Sequence, residues 1–190
     1  MCSGKSTAAA GLARLGCAVI DADEIAHQLL NKKDVRAKVV GVFGEDILDE
    51  KGRISRKELA NRVFGNRRKL KALTNILHPL VLARVEQLIG RYSRNKKHKG
   101  IVLDIPLLAE VGLEKRCDRI IFIDCKPSIR LKRAGKTRFF DSRTLKIREN
   151  LQISLDKKKL IADNIVDNNS DLSGLSKQIA SLFLDIMDNR

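Results

Sequence analysis

Gly4, Lys5, Ser6 and Thr7 form the back half of a phosphate-binding loop, G-x-x-x-x-G-K-[ST], with Cys2 and Ser3 leading into it. In such a loop the backbone amides cradle phosphates, the lysine neutralises their charge and the hydroxyl after it binds Mg²⁺. Four residues alone are weak evidence. Their context is stronger, because the small-residue stretch "TAAAGLARL" (7–15) places them at a helix N-terminus and a strand ending in acids comes next.

That strand is "CAVID" (17–21), which runs on into "IDADE". Asp21 and Asp23 stand at its carboxyl end, where open α/β sheets place their ligands. Continued alternation puts both on one side of the chain. One could orient Mg²⁺ or a nucleophilic hydroxyl and the other accept its proton; the plainer alternative is that Asp21 caps the next helix while Asp23 and Glu24 complement its dipole. Asp104 ends a second apolar strand, a place from which a carboxylate reaches Mg²⁺ or a phosphate-site water, and Pro106 closes that strand. His78, before Pro79, reads as structural rather than metal-binding, since the chain has three histidines and no cysteine pair near it.

Between Arg130 and Lys159 eleven Lys or Arg face three acids, a local +8 within a total of +15. Arg133, Arg138 and Arg148 read as lid arginines that close over phosphates, and Lys157 to Lys159 as a solvated helix face.

Positioning these groups requires alternating strands and helices. The apolar runs 100–108 and 119–125, and a shorter one at 164–168, read as strands covered on both faces. Helices are expected from 7 to 15, from about Glu24, and over 53–64, 67–90, 128–135, 141–161 and 171–188. The expected fold is a doubly wound α/β parallel sheet with helices on both faces. At 190 residues the chain reads as one domain, 1–190, with its likeliest subdomain in the helical stretch 53–98.

Composition bounds the function. The chain is 43% hydrophobic and 32% charged with no long apolar run and no charged-then-apolar leader, so no membrane partner is expected. Four scattered cysteines suit a reducing cytoplasm. The excess positive charge calls for an anionic partner. One tyrosine and no tryptophan leave little for base stacking, so no nucleic acid is expected and a phosphorylated small molecule is preferred. Oligomeric state is not legible.

Taken in order, GKST, "VIDADEIAHQLL", "LHPLV", "VLDIPLLAE", "LKR" with a following arginine, and "QISLDKKKLIADNIVDNN" resemble dephospho-CoA kinase from residue 2 to about 170. The resemblance implies a P-loop kinase core, a helical substrate-binding region at about 53–98 and a lid at about 130–160. It implies ATP and dephospho-coenzyme A as substrates, Mg²⁺, and transfer to the ribose 3′-hydroxyl. By motif position Cys2, Ser3, Gly4, Lys5, Ser6 and Thr7 correspond to the ATP-phosphate loop, with Ser6 on the metal. Asp23 falls where the family places its general base, and Asp21 beside it as helper. Arg138 falls where a lid arginine meets phosphates, and Asn168 near the adenine. His78 belongs to the substrate-side motif; the reading of the residues themselves, apart from the resemblance, puts Asp104, Arg133 and Arg148 on the substrate side as well.

The opening departs from the family, whose members place a strand and a glycine-rich turn before "SGKST". A start codon misread inside the loop is the favoured explanation; a chain that truly begins here would lack its central strand and the amides that hold the β-phosphate. A different P-loop kinase and a basic nucleic-acid-binding protein are the rival readings.

Overall fold

A computed structural model describes residues 2–63, 65–135 and 152–189. The chain divides into two compact units, one from residues up to Val19 together with Lys96 onward, the other from Ile20 to Asn95.

In the first unit, helix α1 (Lys5–Arg14) buries Ala8, Ala9 and Leu12. Strand β1 (Cys17–Asp21) begins in this unit and neighbours β2 (Gly100–Asp104). Strand β3 (Ile121–Asp124) pairs in parallel with β4 (Asn164–Asp167), in a register that runs from Ile121 opposite Asn164 to Asp124 opposite Asp167. Among the described residues the strands therefore pair two and two. Helix α6 (Pro127–Gly135) follows β3, α7 (Leu155–Leu160) precedes β4, and α8 (Leu172–Asp188) closes the chain. The core joins Ala8 and Leu12 of α1, Ile123 and Val166 of the strand pair, and Leu175, Ile179 and Phe183 of α8. The α8 residues recur every four positions, so they form one helical stripe. Each large apolar side chain buried there contributes roughly 1.5–3 kcal/mol.

Strand β2 is shorter than the expected 100–108. It stops at Asp104, and Pro106, which has no N–H to give a ladder, follows within two residues. The expected helix 141–161 is represented by α7, since 136–151 lie outside the described residues.

The second unit is helical: α2 (Ala22–Leu30), α3 (Lys33–Phe43), α4 (Arg56–Val63) and α5 (Arg67–Ser93). Its core is Leu30, Val35, Val39, Phe43, Ile47, Ile54 and Leu59. The unit reaches back to Ile20 and is thus broader than the 53–98 stretch marked by sequence. The element that sequence reading missed is α3. Val35, Val39 and Phe43 have helical spacing and are buried, but Gly41 and four β-branched valines lower the helix propensity around them. Helix α5 continues through Pro79, which costs it one backbone hydrogen bond. No described helix is long and apolar enough to cross a membrane.

Candidate active site

The first turn of α1 is built to face an anion. Gly4 caps the helix at φ +97°, a left-handed conformation that favours glycine, and no side chain caps the first-turn amides. No acid occupies that turn, and Lys5, Ser6 and Thr7 are exposed. Orphan amides, the positive end of the helix dipole and a lysine side chain thus coincide at one place.

Ser6 Oγ donates a hydrogen bond to Asp104 Oδ2 at 2.7 Å. The two residues are 98 apart in the chain and meet because α1 packs against β2. A hydroxyl and a carboxylate side by side are hard oxygen donors of the kind that could hold Mg²⁺. Among the described residues no group of three or more His, Cys, Asp or Glu is placed to hold a metal ion.

On the other side of the loop, Asn168 follows β4 and is 4% exposed. Its Nδ2 donates to the Ser3 carbonyl at 2.6 Å, and its backbone N–H donates to Asp124 O at 2.8 Å. Arg133, on α6, donates through Nη2 to Asn168 O at 3.2 Å and Oδ1 at 3.3 Å. Its Nη1 reaches Ser3 O at 3.5 Å and Cys125 Sγ at 3.4 Å. Arg133 is therefore partly buried against its own unit and spends its donors there, unlike an arginine waiting over a phosphate. Next to Asn168, the backbone N–H of Asn169 holds the Asp167 carboxyl below the usual carboxylate range, helped by the Asn169 side-chain amide.

The matching of known families and structures fits this geometry. The model of the family "Dephospho-CoA kinase" matches residues 1–174. A dephospho-CoA kinase from Fusobacterium nucleatum is 36% identical over 180 residues, spanning 93% of this chain and 90% of that protein. One from Lactobacillus johnsonii is 35% identical, spanning 97% and 93%.

The chain belongs to the dephospho-CoA kinase family.

The solved dephospho-CoA kinase from Campylobacter jejuni superposes with a TM-score of 0.70 at 26% identity, covering all of this chain and 94% of its own. A Thermus thermophilus structure gives a TM-score of 0.73 at 28% identity, covering 96% and 92%. The P-loop kinase fold and the kinase class are thereby established for this chain.

Within the family frame, the remaining expected site residues fall as follows. Asp21 ends β1 and is the N-cap of α2, accepting from Glu24 N at 3.0 Å. Asp23 is exposed in the first turn of α2. Strand alternation thus does not relate the two acids, because the chain turns helical at Ala22, between them. His78 is half-buried within α5. Arg138 and Arg148 lie outside the described residues.

The solvated-lysine reading of 157–159 holds for the exposed Lys157 and is corrected at Lys158 and Lys159. Lys158, 17% exposed, pairs with Glu110 at 3.1 Å and donates to Pro106 O and Gln152 Oε1. Lys159 pairs with Asp124 at 2.8 Å, its ammonium 5.7 Å from the Phe122 ring centre. Glu110 also accepts from Ile153 N at 3.0 Å. Neither acid is near these lysines in sequence, so no local pattern announces the pairs. Part of the local positive charge is thus spent in holding α7 to its own unit.

Proposed function

We propose that this chain transfers the γ-phosphoryl group of ATP to the ribose 3′-hydroxyl of dephospho-coenzyme A, the last step of coenzyme A synthesis, in the cytoplasm. The observation that carries this reading is the Ser6–Asp104 pair beside Lys5 at an uncapped helix N-terminus, in a chain of this family. The bond from the 3′-oxygen to Pγ forms as the bond from Pγ to the β,γ-bridging oxygen breaks, and ADP leaves.

Little covalent chemistry is asked of the protein in such a transfer; positioning and charge stabilisation dominate. Lys5 and the first-turn amides of α1 hold the β- and γ-phosphates. Ser6 and Asp104 are the residues that would hold Mg²⁺, which would supply neutralisation of charge on the phosphate oxygens. Asp23 takes the proton of the 3′-hydroxyl, with Asp21 keeping the start of α2 in place as its cap. His78 contributes to the coenzyme A side, and Arg138 and Arg148 to phosphate charge.

The test is transfer from γ-labelled ATP across a panel of acceptors: dephospho-coenzyme A, its 3′-deoxy analogue, nucleosides and nucleotides. Label on dephospho-coenzyme A and none on the 3′-deoxy analogue is expected. Label preferentially on a nucleoside or nucleotide would overturn the substrate assignment while leaving the kinase class.

A further inference from the structure

We infer that Asn168 and Arg133 are positioning residues that set the direction of the Ser3–Gly4 peptide in the phosphate loop. The inference rests on that loop being the nucleotide site, as proposed above. A peptide unit is planar and trans, so its carbonyl and N–H point in opposite directions. Asn168 Nδ2 grips the Ser3 carbonyl at 2.6 Å, and Arg133 Nη1 reaches the same oxygen at 3.5 Å. Pinning that oxygen toward Asn168 turns the Gly4 N–H the other way, out of the buried side and toward the space in which a phosphate would be cradled.

Three further observations make this a built arrangement. Asn168 is 4% exposed, and both ends of its amide have a protein partner, Ser3 O for Nδ2 and Arg133 for Oδ1. It therefore acts on a nucleotide through the loop. Arg133 donates to the Asn168 backbone carbonyl and to Oδ1 at once, and the side-chain amide cannot rotate without losing both its bond from Arg133 and its bond to Ser3 O. Gly4 closes the arrangement from the loop side: a Cβ there would run into the Asn168 amide nitrogen, so glycine is required by contact as well as by φ +97°. The grip spans 165 residues, from the end of β4 to the start of α1.

Asn168→Asp is the decisive variant. It is nearly isosteric and keeps an acceptor for Arg133, but it sets an oxygen against the Ser3 carbonyl in place of a donor. ADP affinity by calorimetry, and KM for ATP and for dephospho-coenzyme A, would be measured on the full chain. Loss of a buried hydrogen bond predicts ADP binding and KM for ATP weakened about tenfold or more, with KM for dephospho-coenzyme A within about threefold. Arg133→Lys, which keeps the charge and one donor, should give an intermediate loss, and it carries the test if Asn168→Asp does not fold. The double variant Asn168→Asp with Arg133→Lys should bind ADP no worse than the weaker-binding single variant, because both act on one peptide. Wild-type affinity in Asn168→Asp, an equal loss for both substrates, or additive losses in the double variant would overturn the inference alone. A parent chain that binds no nucleotide would remove the phosphate-loop reading, and this inference with it.

Discussion

In the helical unit, Ile20–Asn95, several side-chain contacts join residues close in sequence. Asp21 caps Glu24, Asn66 caps Lys69, Asp49 pairs with Arg53, and wider contacts such as Arg62 to Asp46 and Arg36 to Gly52 reach 16 residues. In the other unit Ser6 reaches Asp104 across 98 residues, Asn168 reaches Ser3 across 165, and Lys159 reaches Asp124 across 35. The helical unit is held by an apolar core fastened with local caps. The phosphate-loop unit adds polar bonds that exist only after distant strands and helices have packed. The lesson is that the Ser6–Asp104 and Asn168–Ser3 bonds at the phosphate loop are long-range, whereas Asp21 is held as the cap of a single helix by Glu24 three residues on.

The sharpest way to break that comparison is Asp23→Asn. If Asp23 takes the hydroxyl proton, turnover should fall by about 10²- to 10⁴-fold with ATP binding kept. Turnover within a few-fold of the parent would remove Asp23 from the base role. Next comes Ile47→Ala, at a side chain that is 0% exposed in the helical core. It should cost about 2–5 kcal/mol in denaturant unfolding. A cost below about 1 kcal/mol would mean that this core does not hold the unit.

Asp104→Asn removes the carboxylate from the long-range pair with Ser6. It should lower turnover by roughly 10- to 100-fold and raise the Mg²⁺ concentration needed for half-maximal rate, since a neutral amide is a poorer ligand for a hard cation. An unchanged Mg²⁺ dependence would separate the pair from the metal.

The smallest effect is expected at Asp167, an exposed carboxylate whose pKa is lowered by the Asn169 N–H. A folded pKa below the unfolded one stabilises above the unfolded value of about 3.9, and that share is lost as pH falls through the folded pKa. The melting-temperature advantage of the parent over Asp167→Asn should therefore be present at neutral pH and vanish in acid. An advantage that persists in acid would assign it to something other than this carboxylate.

Particular elements show where sequence reading ran out. The stripe behind α8 and the Val- and Ile-rich strands β2 and β3 were legible because hydrophobic periodicity is local. The α3 stripe at Val35, Val39 and Phe43 has the same form, but poor helix formers masked it. At Lys158 and Lys159 the run of charge was visible while the acids that neutralise it, Glu110 and Asp124, were not. Arg133 was read as a lid arginine closing over phosphates; that its donors go to Ser3 and Asn168 was not legible.

The sequence by itself determined the residue types and their order: a GKST loop opening a helix, acids after strands, and a succession of motifs that places the chain in its kinase family. Those features depend on neighbours a few positions apart, which is as far as a helical or strand period carries information. The tertiary structure alone decided that Asp104 receives Ser6, that Asn168 and Arg133 grip the loop rather than face solvent, and that Lys158 and Lys159 are structural. Each of those pairings joins groups that only core packing brings within 3–4 Å. Hydrogen-bond strength falls away beyond that distance, so spacing along the chain could not reveal them.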